Sequence, residues 1–158
     1  MSRRTNEAGF VLDTDPARLD LDTVERWLAQ ESYWATGRER AVIERSLAGS
    51  TVYGVYAPDG TQVGLLRVVT DGATFAWLCD VFIDSAYRGR GLAQWAVAAV
   101  RDDLHALGVY RIILATADAH GVYAKVGFVP LPEPDRWMQL TTRVIGRPEA
   151  PYTADARA

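Results

Sequence analysis

Asp84-Ser85-Ala86-Tyr87-Arg88-Gly89-Arg90-Gly91-Leu92-Ala93 is the stretch on which the fold turns. Residues 73–83 before it are rich in aromatic and β-branched side chains, as a strand is. After it, Leu92, Ala96, Ala99, Leu104 and Leu107 recur at helical spacing. Gln94, Arg101, Asp102 and His105 take the opposite face, which predicts an amphipathic helix over 92–107. Gly108 stands where a helix-ending glycine belongs. The stretch is therefore a glycine-rich strand-to-helix turn. The first amides of such a helix lack intrahelical partners, and the helix dipole adds positive charge there. Glycines let a ligand approach the backbone closely, so the turn suits a pyrophosphate. Arg88 and Arg90 add cations. A tight turn with two surface arginines is the plainer reading, and the turn alone does not decide between them. The turn is not a P-loop, because no Lys-Ser/Thr follows, and the dinucleotide fingerprint fails at Gln94. A single Arg-Gly pair in an acidic chain is a weak RNA-binding signal.

Working outward, Val52, Gly54 and Tyr56 alternate before Pro58-Asp59-Gly60, and residues 62–69 resume as a strand. Asp71-Gly72 is a second turn. Upstream, Phe10-Val11-Leu12 reads as a short strand, and residues 1–9 as loose. Asp20-Leu21-Asp22-Thr23 caps a helix carrying Leu21, Val24, Trp27 and Leu28. Residues 38–47 read as a second helix, with Ala41, Val42, Arg45 and Leu47 near one stripe. Downstream, residues 111–115 read as a buried strand and residues 118–125 as a short helix ended by Gly127. Residues 128–129 and 137–140 are expected to close the sheet. The reading is one α+β layered domain over residues 1–145, with a flexible tail at 146–158.

The chain has 158 residues, enough to bury a core, and a net charge of −3, which argues against a nucleic-acid binder. Cys79 is the single cysteine and His105 and His120 the only histidines, so no metal site is expected. The N-terminus lacks a signal-peptide pattern and no apolar run is long enough to span a membrane. These features predict a cytoplasmic protein without membrane partners.

Arg88, Gly91 and Ala93 resemble the Arg/Gln-x-x-Gly-x-Gly/Ala coenzyme A signature of the GNAT (GCN5-related) N-acetyltransferase superfamily. Asp80-Val81-Phe82-Ile83-Asp84-Ser85-Ala86-Tyr87 resembles the family's lead-in strand. Ala119, Tyr123, Lys125, Gly127 and Phe128 resemble the Ala-x-x-x-Tyr-x-Lys-x-Gly-Phe ending of the same fold. The resemblance covers roughly residues 50–130. It extends to an uncharacterised bacterial subgroup with Glu-Ser-Tyr-Trp-Ala early, here residues 31–35, and Gly-Phe-x-Pro-Leu late, here 127–131.

The resemblance implies a GNAT fold: a mixed, mostly antiparallel sheet of about six to seven strands flanked by about four helices. It also implies an N-acetyltransferase that moves the acetyl group of acetyl-CoA directly to a primary amine, without metal. The cosubstrate would lie between splayed parallel strands at 75–83 and 111–115. Its pyrophosphate would meet Arg88, Gly89, Arg90, Gly91, Leu92 and Ala93, and its pantetheine the backbone at Val81 and Ile83. Tyr123 is the implied general acid. Asp80 is the candidate base, with a buried aspartate paired with backbone or an arginine as the alternative, and Cys79 stands where some members carry an acidic partner. His120, one turn before Tyr123, is a candidate proton relay. Thr116, Asp118 and His120 occupy the region where the family often has a cofactor-contacting asparagine. Tyr33, Trp34 and Glu31 are candidate acceptor contacts through cation–π and charge. Arg67 and Thr70 are further candidates to face the pocket. Cys79 reads as a core residue. A small-molecule amine is the expected acceptor. A peptide or protein N-acetyltransferase and a non-catalytic acyl-CoA-binding module are the alternatives. Dimers are common in this fold, and no patch in the sequence decides the matter.

Overall fold

The computed structural model describes residues 2–140. The expected tail at 146–158 lies outside them. Six strands form one sheet in the order β1-β2-β3-β4-β5-β6: β1 Arg3–Thr5, β2 Val11–Asp13, β3 Thr51–Tyr56, β4 Gln62–Thr70, β5 Phe75–Ile83 and β6 Arg111–Ile113. Neighbours pair antiparallel except β5 and β6, which are parallel. Four α-helices flank the sheet: α1 Leu21–Glu25, α2 Arg40–Ala48, α3 Leu92–Ala106 and α4 His120–Ala124. The architecture is α+β, as the sequence predicts.

The turns follow from local chemistry. Asp59 Oδ1 accepts from the Thr61 amide at 2.9 Å and closes the β3–β4 hairpin. Asp71 Oδ1 accepts from the amides of Ala73, Thr74 and Phe75, which fixes the β4–β5 turn. Asp20 caps α1 by accepting from the Asp22 and Thr23 amides. The helix then widens into a π-helical turn over Arg26–Glu31, where the Ser32 amide reaches Trp27 O at 2.9 Å.

Two cores sandwich the sheet. One packs α3 and α4 against Leu66, Val68, Ala76 and Leu78; the other packs α1 and α2 against Leu65 and Phe82. A β-bulge links them. Leu65 pairs with Phe82 but Arg67 pairs with Cys79, so β5 carries one extra residue at Asp80 and Val81. That residue reverses the alternation of the strand. Ala76 and Leu78 face the first core before the bulge; after it Ile83 does, and Phe82 turns to the other. Beyond the bulge β5 thereby reaches both cores, while Phe75 and Trp77 before it stay exposed on the second face.

Five expectations are corrected. Residues 1–9 are not loose: β1 pairs with β2, and Arg4 bonds to Asp103 on α3. Helix α2 buries Ile43 and Leu47, an i, i+4 pair, and leaves Val42 exposed. Leu107 lies at the end of α3 and is 64% exposed rather than in the core. Residues 128–129 and 137–140 form no strand. Pro130, Pro132 and Pro134 lie between them and remove backbone donors that a ladder needs. The helix and strand flanking residue 117 are shorter than predicted, Arg111–Ile113 and His120–Ala124.

Candidate active site

The site forms where two neighbouring strands part. β5 and β6 pair only across Phe75↔Arg111, Ala76↔Ile112 and Trp77↔Ile113. β5 continues to Ile83 while β6 ends, so residues 78–83 have no strand partner on that side among the described residues. The opening has two ends, the turn into α3 and a cleft against α4.

The turn is a backbone construction. Asp84 accepts from the Ala86 amide at 3.0 Å and from the buried Trp27 indole at 3.1 Å, which anchors the lead-in. Gly89 and Gly91 take φ +75° and +73°, a region that L side chains rarely adopt. A Cβ at either would meet nothing within 4 Å, so the glycines serve conformation and not space. Gly91 offers no side-chain cap to α3, and its carbonyl accepts first from Trp95 at 2.9 Å. The amides of Leu92, Ala93 and Gln94 have no protein partner among the described residues. Three outward donors at the positive end of a 15-residue helix fit a pyrophosphate. Arg88 does not simply project beside them. Its Nε donates to Ile83 O at 2.9 Å and its guanidinium sits 5.3 Å from the Phe82 ring centroid, so it staples the turn to the end of β5. Arg90 lies over the Tyr87 ring at 5.1 Å.

The cleft has a volume of about 340 Å³ and is lined by Tyr33, Trp34, Arg38, Arg67, Asp80 and Tyr123 among others. Tyr123 is buried on α4, its ring edge-on to Phe128. Its hydroxyl has no hydrogen-bond partner among the described residues and is not sealed from solvent, so it opens into the cleft. Burial, then the charges of Tyr33 and Asp118, push the phenol up to about 12. Tyr33 Oη accepts from the Ala117 amide at 3.1 Å and straps the loop before α2 to the loop before α4.

Asp80 forms the floor. At the bulge it takes φ +48°, and its side chain is 2% exposed. Oδ1 accepts from the Trp34 indole at 3.1 Å; Oδ2 accepts from Arg38 Nη1 at 2.9 Å and Arg67 Nε at 2.8 Å. Burial alone would raise this carboxyl, but the two guanidinium groups overcome it and hold it below the usual carboxylate range. Cys79 also lines the cleft, and burial pushes its thiol up to about 11.

The structure thus brings Tyr33, Trp34, Asp80, Val81 and Tyr123 to one cleft, with the turn residues 88–93 at the other end of the opening. Glu31 and His120 do not line the cleft. Glu31 turns to Arg26, and His120 is exposed at the start of α4. Arg67 faces the cleft, whereas Thr70 accepts from the Gly72 amide in the hairpin turn. Thr116 accepts from the Ala119 amide at 3.0 Å, and Asp118 lies at the cleft's exposed rim. Sequence reasoning missed Arg38. Its signal, a lone arginine after Gly37, is indistinguishable from a surface cation until Asp80 is seen opposite. A larger hollow of about 680 Å³ lies beyond β6, lined by Arg101, Arg111, Phe128 and Trp137 among others, and holds none of these site residues.

Parted parallel strands, an uncapped glycine turn and a tyrosine-lined cleft thus share one opening. The sequence model of the acetyltransferase (GNAT) family matches residues 21–128, and the chain belongs to that family. A GNAT-family crystal structure from Xanthomonas campestris pv. campestris is 37% identical, with a TM-score of 0.78 over 87% of this chain and 94% of that one. A Gibberella zeae protein is 29% identical over 73% of this chain and 76% of its own length. Both carry the description "putative acetyltransferase". A Trypanosoma brucei acetyltransferase structure is 26% identical, with a TM-score of 0.62 over 84% of this chain and 99% of that one. No helix among the described residues is long and apolar enough to cross a membrane.

Proposed function

We propose that the protein is a cytoplasmic N-acetyltransferase that moves the acetyl group of acetyl-CoA directly to a primary amine of a small molecule. The observation that carries this reading is the parting of β5 from β6 after Trp77 and Ile113, open at one end to the free amides of α3 and at the other to the Tyr123 hydroxyl. Acetyl-CoA supplies an activated thioester. The amides of residues 92–94 would hold its pyrophosphate, with the backbone of residues 88–93 shaping the approach. The free edge of β5 near Val81 and Ile83 would align its pantetheine. The Ile83 carbonyl already accepts from Arg88, so contact there falls to the other backbone groups of the edge.

Tyr123 is the donor to the leaving thiolate. With its phenol at about 12 the hydroxyl keeps its hydrogen at neutral pH. An ordinary thiol titrates near ~8.5, so the thiolate takes a hydrogen bond rather than the proton itself. The proton released by the attacking amine completes the exchange. Asp80 is not the base in this reading. Its oxygens are engaged by three donors, and its low affinity for protons makes it a weak acceptor. Water in the open cleft relays the amine proton to the thiolate. A cleft of about 340 Å³ favours a small acceptor over a peptide. The Tyr123 hydroxyl favours catalysis over mere coenzyme binding.

Calorimetric titration with acetyl-CoA and CoA tests the reading. Saturable binding of both, followed by thiol release when amines are added, is the expected result. No binding of either at millimolar concentration removes it.

A further inference from the structure

The cleft floor carries more cation than its carboxylate neutralises. Asp80 contributes one negative charge and Arg38 and Arg67 two positive ones, all on side chains no more than 17% exposed. Arg38 spends only Nη1 on Asp80, and Arg67 only Nε. A guanidinium has five N–H donors in a planar fork. The remaining nitrogens of both arginines have no protein partner among the described residues, yet none is sealed from solvent, because Tyr56 Oη is the one buried side-chain polar atom without a partner there. Both arginines line the cleft, so these donors open into it. Buried arginines that merely balanced Asp80 would need one cation, not two. Asp118 stands at the rim, close enough to Tyr123 to raise its phenol.

We propose that the acceptor is an amine that also carries an oxyanion group. The anion would rest on the free forks of Arg38 and Arg67, and the amine would point to Tyr123 and Asp118. Guanidinium forks match carboxylate and phosphate geometry in two-point contacts, which orient as well as attract. Two fixed points, one at each end of the acceptor, would aim its amine along the wall where the thioester must lie. Carboxylate and phosphate share this chemistry, so amino acids and aminosugar phosphates are both candidate sources. The inference rests on the acetyl-transfer reading above for the role of the amine, but not for the binding of the anion.

Matched pairs test it, with calorimetry on protein saturated with CoA and thiol release with acetyl-CoA. The pairs are phenylalanine against phenethylamine, leucine against isoamylamine, and glucosamine 6-phosphate against glucosamine. The anionic member should bind at least ~10-fold more tightly in one class of pair. That preference should fall below threefold in Arg38→Lys and Arg67→Lys, which keep the charge beside Asp80 but lose the fork. A preference confined to the amino acids assigns a carboxylate, and one confined to the sugar pair a phosphate. Equal binding within every pair, tighter binding of the neutral amine, or a preference untouched by both lysine variants overturns the inference. If CoA fails to bind, the acetyl-transfer reading falls, and the same titrations without CoA still decide the anion site.

Discussion

The turn at residues 88–93 and the cleft around Asp80 serve the same opening but are made of different materials. The turn is backbone: amides, two glycines at positive φ and a helix dipole, contributed by one contiguous run. The cleft is side chain: Trp34, Arg38, Arg67, Asp80 and Tyr123 arrive from four separate segments. A backbone site tolerates changed side chains as long as its conformations survive. A site made of mutually neutralising side chains fails when one member is lost. The difference teaches that binding of coenzyme and choice of acceptor should be separable by mutation.

The largest effect should come from Asp80→Asn. Asparagine tolerates the positive φ of this bulge, so the backbone is spared. Two buried guanidinium groups would then face each other without a counter-charge. Removing one partner of such a set costs about 3–5 kcal/mol, toward the lower figure here because water reaches the arginines. Urea denaturation at pH 7 measures it. The acid limb gives a second readout. The folded carboxyl sits below its unfolded value of ~3.9, so its contribution is full above that pH and is lost as the pH falls through the folded pKa. The native protein should therefore lose stability more steeply below about pH 4 than the variant does.

Tyr123→Phe should lower kcat by at least about a hundredfold while leaving coenzyme affinity within threefold. A stopped-flow thiol assay beside a CoA titration reads both. An unchanged rate would take the thiolate donor away from α4. Gly91→Val reverses the pattern. A β-branched residue at φ +73° costs of order 1–3 kcal/mol of backbone strain and disturbs the amides that meet the pyrophosphate. CoA binding should weaken at least tenfold, with a smaller loss in denaturant midpoint. If coenzyme affinity survives, the pyrophosphate does not rest on this turn.

The two regions also differ in how far the sequence reveals them. Gly89, Gly91 and the 3.6-residue rhythm from Leu92 lie side by side, so the turn, α3 and the strand before it are legible locally. The β3–β4–β5 meander is legible for the same reason, through Asp59-Gly60 and Asp71-Gly72. The Asp80 floor is not. It depends on a one-residue bulge opposite Leu66, which no periodicity announces, and on Arg38 lying 42 positions away. In the sequence Asp80 reads equally as a base and as a buried aspartate paired with an arginine, and the structure, with Arg38 and Arg67 on Oδ2, shows the second. Glu31 reads as an acceptor contact because the π-helical turn that directs it to Arg26 is equally hidden. β1 escaped notice because three polar residues at a sheet edge carry no apolar alternation.

The smallest expected effect separates direct transfer from an enzyme-bound acetyl group. Cys79 lies on the cleft wall and is the one side chain there able to carry an acetyl thioester. Burial raises its thiol to about 11. At pH 7.5 only about one part in a few thousand is then thiolate, and the thiolate is the nucleophile. Cys79→Ala should accordingly change kcat by less than threefold, and initial-rate plots should intersect rather than run parallel. Iodoacetamide labelling should be slow at pH 7.5 and should speed up about tenfold per pH unit until the pH nears 11, because each unit multiplies the thiolate by ten. A variant without activity, or labelling that is already fast at neutral pH, would mean that the charges of Arg67 and Arg38, which oppose burial at this thiol, outweigh it. The arginines would then be serving the thiolate and not an acceptor's anion, which makes this modest substitution a check on the assignment of the cleft floor as well.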